Sequence, residues 1–142
     1  MHIKAIGVAA AAVLLLSAAL AQAKTVHFSA TLSGSEQVPP VSTAATGNVD
    51  ATLDTDSKVF TYTATYSGLS GPAVAAHFHG PASEGANAPP VVPVPKADLA
   101  SPIHGTATLT DAQIGDLTAG KWYFNVHTAA NPGGEIRGQL RP

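Results

Sequence analysis

The chain contains no cysteine. That excludes disulfide staples, thiolate metal ligands, a cysteine nucleophile and a lipid-bearing cysteine anchor. Charge is scarce: Asp, Glu, Lys and Arg make up 11% of the 142 residues, and the formal net charge is −2. No basic block is present, which argues against nucleic acid as a partner. No amphipathic basic helix is present to lie on a membrane surface. The serines fall mostly in loop stretches and none sits in a G-x-S-x-G turn, so a hydrolase has no nucleophile signature here. The acidic residues form no D-x-D run of the calcium-loop type.

Long apolar runs are also missing, with one exception. Residues 6–20 are apolar or small, follow Lys4, and lead to Ala21-Gln22-Ala23. The run is short for a spanning helix, which needs about 20 apolar residues. The A-x-A ending fits signal peptidase, so residues 1–23 read as a secretory signal peptide cut after Ala23. The mature protein is then one domain over 24–142, periplasmic or secreted, with no membrane attachment after cleavage. Removal of Lys4 brings its net charge to about −3.

What remains is rich in Thr, Val and Ala and alternates with period two between Gly, Pro, Asn and Asp clusters. "TVHFSATL" places Val26, Phe28, Ala30 and Leu32 on one face. "GNVDATLD" does the same with Val49, Ala51 and Leu53, and "KVFTYTATYSG" with Phe60, Tyr62, Ala64 and Tyr66. "AVAAHFHG", "HGTATLT", "KWYFNVHT" and "GEIRGQL" follow, with Ala107, Leu109, Trp122, Phe124, Val126, Ile136 and Leu140 inward. Seven or eight short strands, each with one apolar face, predict an all-β sandwich or Greek-key barrel. Two stretches read as loops: the proline-bearing 36–46 and the long Pro/Ala-rich 80–102. Long loops in compact domains are often functional. Residues 110–120 have room for a helical turn capped by Thr110 or Asp111.

The histidines carry the sharpest signal. In "AAHFHGPA" (75–82), Ala76 and Phe78 share one face, and His77 and His79 share the other. In "KWYFNVHT", His127 lies opposite Trp122, Phe124 and Val126, together with Tyr123 and Asn125. All three histidines are therefore on the non-core side. Residues i and i+2 of a strand are roughly 6–7 Å apart at Cα, so two imidazoles can reach one ion. His127, from a neighbouring strand, would complete a three-imidazole set suited to copper or zinc. The plainer reading is three solvated side chains, since H-x-H recurs often without metal. His27 and His104 read as structural or incidental. Glu84 and Glu135 are too distant in sequence to be paired by pattern. Glu135 and Arg137 share a strand face, as a surface pair or as an orienting contact behind the site.

"SATLSGSEQVPPVSTAATGNVDATLD", "YSGLSGPAVAAHFHGPA" and "NVHTAANPGGEIRGQL" resemble the CHRD domain, a module of chordin and of exported bacterial proteins, over nearly all of 25–142. A more distant similarity joins "YSGLSGPAVAAHFHG" and "KWYFNVHTAANPGGEIRGQL" to the Cu,Zn superoxide dismutases. That resemblance implies a superoxide-dismutase-like barrel with long Pro-rich loops, and a copper site on its outside. His77 and His79 match the family's H-x-H copper ligands, and His127 its late ligand. The bridging histidine, the zinc loop and the disulfide cysteines have no counterpart. A copper-only site of three histidines is what the resemblance implies, with copper handling or superoxide/redox chemistry as its role, or zinc as the ion. The alternative is a structural or interaction module that grips a protein or glycan through 36–46 and 80–102.

Overall fold

The computed structural model describes Leu15 and residues 24–142; the leader read over residues 1–23 lies, apart from Leu15, outside the described residues. Eight strands form one antiparallel sheet: β1 (Thr25–Ser33), β2 (Thr46–Asp54), β3 (Val59–Ser67), β4 (Ala73–His79), β5 (Pro90–Pro93), β6 (Ile103–Thr108), β7 (Tyr123–Thr128) and β8 (Ile136–Gln139). Their spatial order is β5-β4-β7-β8-β1-β2-β3-β6. The sheet curls until its distant members touch. Phe60 of β3 meets Phe78 of β4 edge to face at 5.1 Å between ring centroids. The result is a nearly closed all-β barrel. Its β3–β4, β5–β6 and β6–β7 connections join strands that are not neighbours in the sheet.

The expected alternation holds strand by strand. Leu32, Leu53, Phe60, Ala64, Phe78, Trp122, Phe124, Val126 and Ile136 are fully buried in one core. One short helix, α1 (Asp111–Thr118), precedes β7. Thr110 caps it, accepting from the Gln113 amide while the Gln113 side chain returns to the Thr110 amide. This reciprocal pair satisfies two end donors at once. No helix among the described residues is long and apolar enough to cross a membrane.

The long stretch 80–102 departs from its reading as a loop. Residues 90–93, Pro-Val-Val-Pro, form β5 and pair with the end of β4, with an irregularity between Phe78 and His79. Proline removes ladder donors and is tolerated at sheet edges, which is where β5 lies. Residues 80–89 fold back over the outer face of β4, β7 and β8.

Phe78 is the hinge between core and outer face. It packs against Phe60, Tyr62, Trp122 and Phe124, and it holds its two neighbours, His77 and His79, on the other side. Phe78→Ala should lower unfolding stability by about 3–5 kcal/mol. Urea denaturation followed by Trp122 fluorescence measures the loss.

Candidate metal centre

The register puts the outward-facing residues of three strands side by side. His77 of β4 is opposite Asn125 of β7, His79 is opposite Tyr123, and Ala75 is opposite His127. On the far side of β7, Asn125 faces Arg137 and Tyr123 faces Gln139 of β8. His77, His79 and His127 converge, with one nitrogen from each within 4.8 Å of the others. His77 Nδ1 and His127 Nε2 are 3.1 Å apart. His27 and His104 do not join them. His27 is exposed on β1, and His104 bonds Thr63 at 3.0 Å on the opposite flank of the barrel.

Backbone carbonyls set the tautomers. His127 Nδ1 donates to Pro132 O at 2.8 Å, which leaves Nε2 with its lone pair facing His77. His77 Nδ1–H is then the donor of that pair. His79 Nδ1 donates to Ala88 O at 2.8 Å, so its Nε2 is the nitrogen turned to the cluster, 2.9 Å from the Asn125 amide. A ligating histidine whose other nitrogen bonds a carbonyl is fixed in both ring orientation and basicity. Burial pushes the His77 pKa down, and the neighbouring charges of His127 and His79 push the same way. Burial lowers that of His79 as well, against the opposing bonds to Ala88 and Asn125. Both shifts favour the neutral imidazole, the form that binds metal.

The face outside the core is therefore not a solvated one. His79, Asn125 and His127 are each at most 9% exposed. Segment 80–89 forms the lid over them. Arg137 holds it through Nη1 to Asn87 Oδ1 at 2.9 Å and Nη2 to Ala86 O at 2.6 Å. The Arg137 guanidinium lies 3.5 Å from the centroid of Tyr123. Tyr123 in turn stacks flat on His79, 4.7 Å between centroids and 6° between planes. Gln139 Nε2 adds bonds to Ala82 O and Gly120 O, each 2.8 Å.

Glu135 overturns the surface-pair reading and fits the other one, an orienting contact behind the site. It does not pair with Arg137, nor is it on the surface; it is fully buried. Its carboxylate accepts from Thr43 Oγ1 at 2.9 Å, the Ser70 amide at 3.0 Å, Thr128 Oγ1 at 2.9 Å and Asn131 Nδ2 at 3.1 Å, and also from Ser70 Oγ. These donors come from the 36–46 loop, the β3–β4 turn, the end of β7 and the β7–β8 turn. The last of these turns also carries Pro132, the acceptor for His127. Strand alternation placed Tyr123 and Asn125 on the histidine face, but nothing in the sequence pattern marked their bonds to His79 or the burial of Glu135. Glu84, exposed, pairs instead with Arg141 at 2.7 Å.

The barrel and its outward histidine cluster define an all-β module with a built polar face. The family model of the CHRD domain matches residues 28–140, and the chain belongs to that family. No curated protein and no solved structure matches it.

Burial alone would raise the Glu135 pKa, but the bonds from Ser70, Thr128 and Thr43 outweigh it and hold the carboxyl at about 2. A folded pKa below the unfolded value gives stability that is complete above the unfolded pKa. It is lost as pH falls from about 4.5 towards about 2. Glu135→Gln should flatten the acid limb of the stability curve over that window. At pH 7 it should cost on the order of 3 kcal/mol through mismatched buried donors. Thermal unfolding of both proteins from pH 2 to 7 measures each effect.

Proposed function

We propose that this exported β-domain binds one copper ion through His77, His79 and His127, and serves copper handling or superoxide/redox chemistry in the periplasm or outside the cell. The observation that carries the reading is the 3.1 Å separation of His77 Nδ1 and His127 Nε2, with a His79 nitrogen within 4.8 Å. Two nitrogens at the usual ~2.0 Å from one ion and 3.1 Å from each other subtend an angle of about 100° there. That angle suits tetrahedral and square-planar coordination alike. An ion would take the place of the single proton that His77 and His127 now share, and His77 would carry its own proton on Nε2 instead.

Three neutral imidazoles accept both Cu(II) and Cu(I), which is the requirement for redox cycling; zinc fits the same donors without cycling. The outward position of the cluster and the order of the strands along the chain support the likeness to the copper side of the superoxide dismutases. The proline-rich segments, offered in the alternative reading as gripping surfaces, here spend much of their polar capacity on the site. Asn87, Ala86, Ala88 and Thr43 are all bonded to it or to its supports.

Cu(II) titration of the mature protein, followed by EPR, tests the proposal. The expected result is one tight equivalent with nitrogen hyperfine splitting. His77→Ala or His127→Ala should each weaken it by at least about a hundredfold, with the far-UV spectrum unchanged. Equal binding by the wild type and the His77/His79/His127 triple alanine variant would remove the site.

A further inference from the structure

The cluster is not equally ready at all three histidines. His77 Nδ1–H and His127 Nε2 bond each other, so moving one proton within His77 frees two ligand nitrogens, but His79 Nε2 is engaged by Asn125, which is no ligand. With its Nδ1 proton committed to Ala88 O, the neutral ring presents a lone pair at Nε2. An amide oxygen cannot bond to a lone pair. An extra proton on Nε2 would place a buried cation close to Arg137, and among the described residues neither has an ion-pair partner. A half-turn of the Asn125 amide about χ2 removes the conflict, because Nδ2 then donates to His79 Nε2.

The other end of the same amide fits that orientation. Gln37, at 5% exposure, comes from the 36–46 side of the molecule, and its Nε2 is buried without a hydrogen-bond partner. Gln37 Nε2 and the second atom of the Asn125 amide lie 2.2 and 2.7 Å from the point where a Cβ on Gly134 would stand. Both therefore border the space that Gly134 leaves open, at a φ of +116° that suits glycine. With Asn125 Oδ1 turned towards Gln37, the orphaned donor faces an acceptor across that space. One chain of donors then runs from Gln37 to Asn125, from Asn125 to His79, and from His79 to Ala88 O. Every buried polar group along it is used, as buried groups require.

Resting on the metal-binding reading above, we infer that Asn125, pinned by Gln37, masks the coordinating lone pair of His79 in the metal-free protein. An incoming ion opens the His77–His127 pair by replacing their shared proton, and takes His79 only by displacing the Asn125 amide. Asn125 is thus a positioning residue that sets how tightly the third ligand closes. Gln37 and Gly134 are the parts of the "EQVPP" and "NPGGE" segments that hold it in place.

The test combines two measurements. In the ¹⁵N-labelled metal-free protein, His79 should carry its proton on Nδ1, with Nε2 in the lone-pair range of nitrogen shifts; a proton found on Nε2 overturns the relay. Competition titration with Cu(II) is then run on the wild type, Asn125→Val and Gln37→Leu. Asn125→Val should bind about tenfold more tightly, because one competing hydrogen bond is gone. Gln37→Leu should bind more tightly by a smaller factor. A role confined to supporting the fold would give weaker binding in both variants. Wild type and variants that bind equally, or variants that bind more weakly, would overturn the masking alone. Absence of copper binding in wild type and variants alike would instead overturn the metal reading, and the masking with it.

Discussion

The outer face of this barrel depends on a carboxylate that has no cation. Glu135 is buried with five donors around it and no ion-pair partner among the described residues. A buried charge is tolerated only when hydrogen bonds replace its lost water, and here the replacement comes from three separate loops and the last residue of β7. None of those loops has regular structure to shape it. Their shared attachment to one side chain is what gives the β7–β8 turn a definite form, and that turn presents the carbonyl that orients His127. A core of alternating apolar residues makes the barrel; a single anion makes the loops at this end agree with one another.

The second organising element is cationic and works on the opposite side of the cluster. Arg137 reaches the backbone and side chain of 86–87 and covers the face of Tyr123, and Tyr123 covers His79. Cation, phenol and imidazole form a column whose base is the histidine. Because Tyr123 Oη is also hydrogen-bonded at Ala88, the same residue that accepts from His79, the column and the lid are one unit. Two of the three histidines are thus bounded by a loop that is itself anchored by a buried charged residue, Arg137 for His79 and Glu135 for His127.

Much of this was legible from residue order, because strands are read by parity. Phe78 and Phe124 had to face inward, so His77, His79, Tyr123, Asn125 and His127 had to face outward, and the structure keeps every one of those assignments. Parity tells which side, not what covers it. The outward face looked solvated because 80–89 carries no apolar pattern; it binds through backbone carbonyls, which leave no trace in composition. Strand β5 was hidden for a related reason. Two valines between prolines are too short to show alternation, and proline normally argues against a strand. Glu135 and Arg137 sit one residue either side of Ile136 and look like a surface pair. Only the three-dimensional meeting of distant hydroxyls and carbonyls shows that each serves a different loop.

The prolines of β5 have a further consequence, for how the molecule behaves among its own copies. An almost closed barrel still has two strands with a free side, and such an edge is a template for pairing with another chain. On the β5 side, that edge lies beside the strand bearing His77 and His79. A chain with no disulfide to hold it closed and few charges to keep copies apart has reason to protect it. Pro90 and Pro93 begin and end the four-residue strand, so neither position offers an amide to an incoming neighbour. The residues that hid this strand from its sequence pattern are also the ones that keep its open side from seeding aggregation.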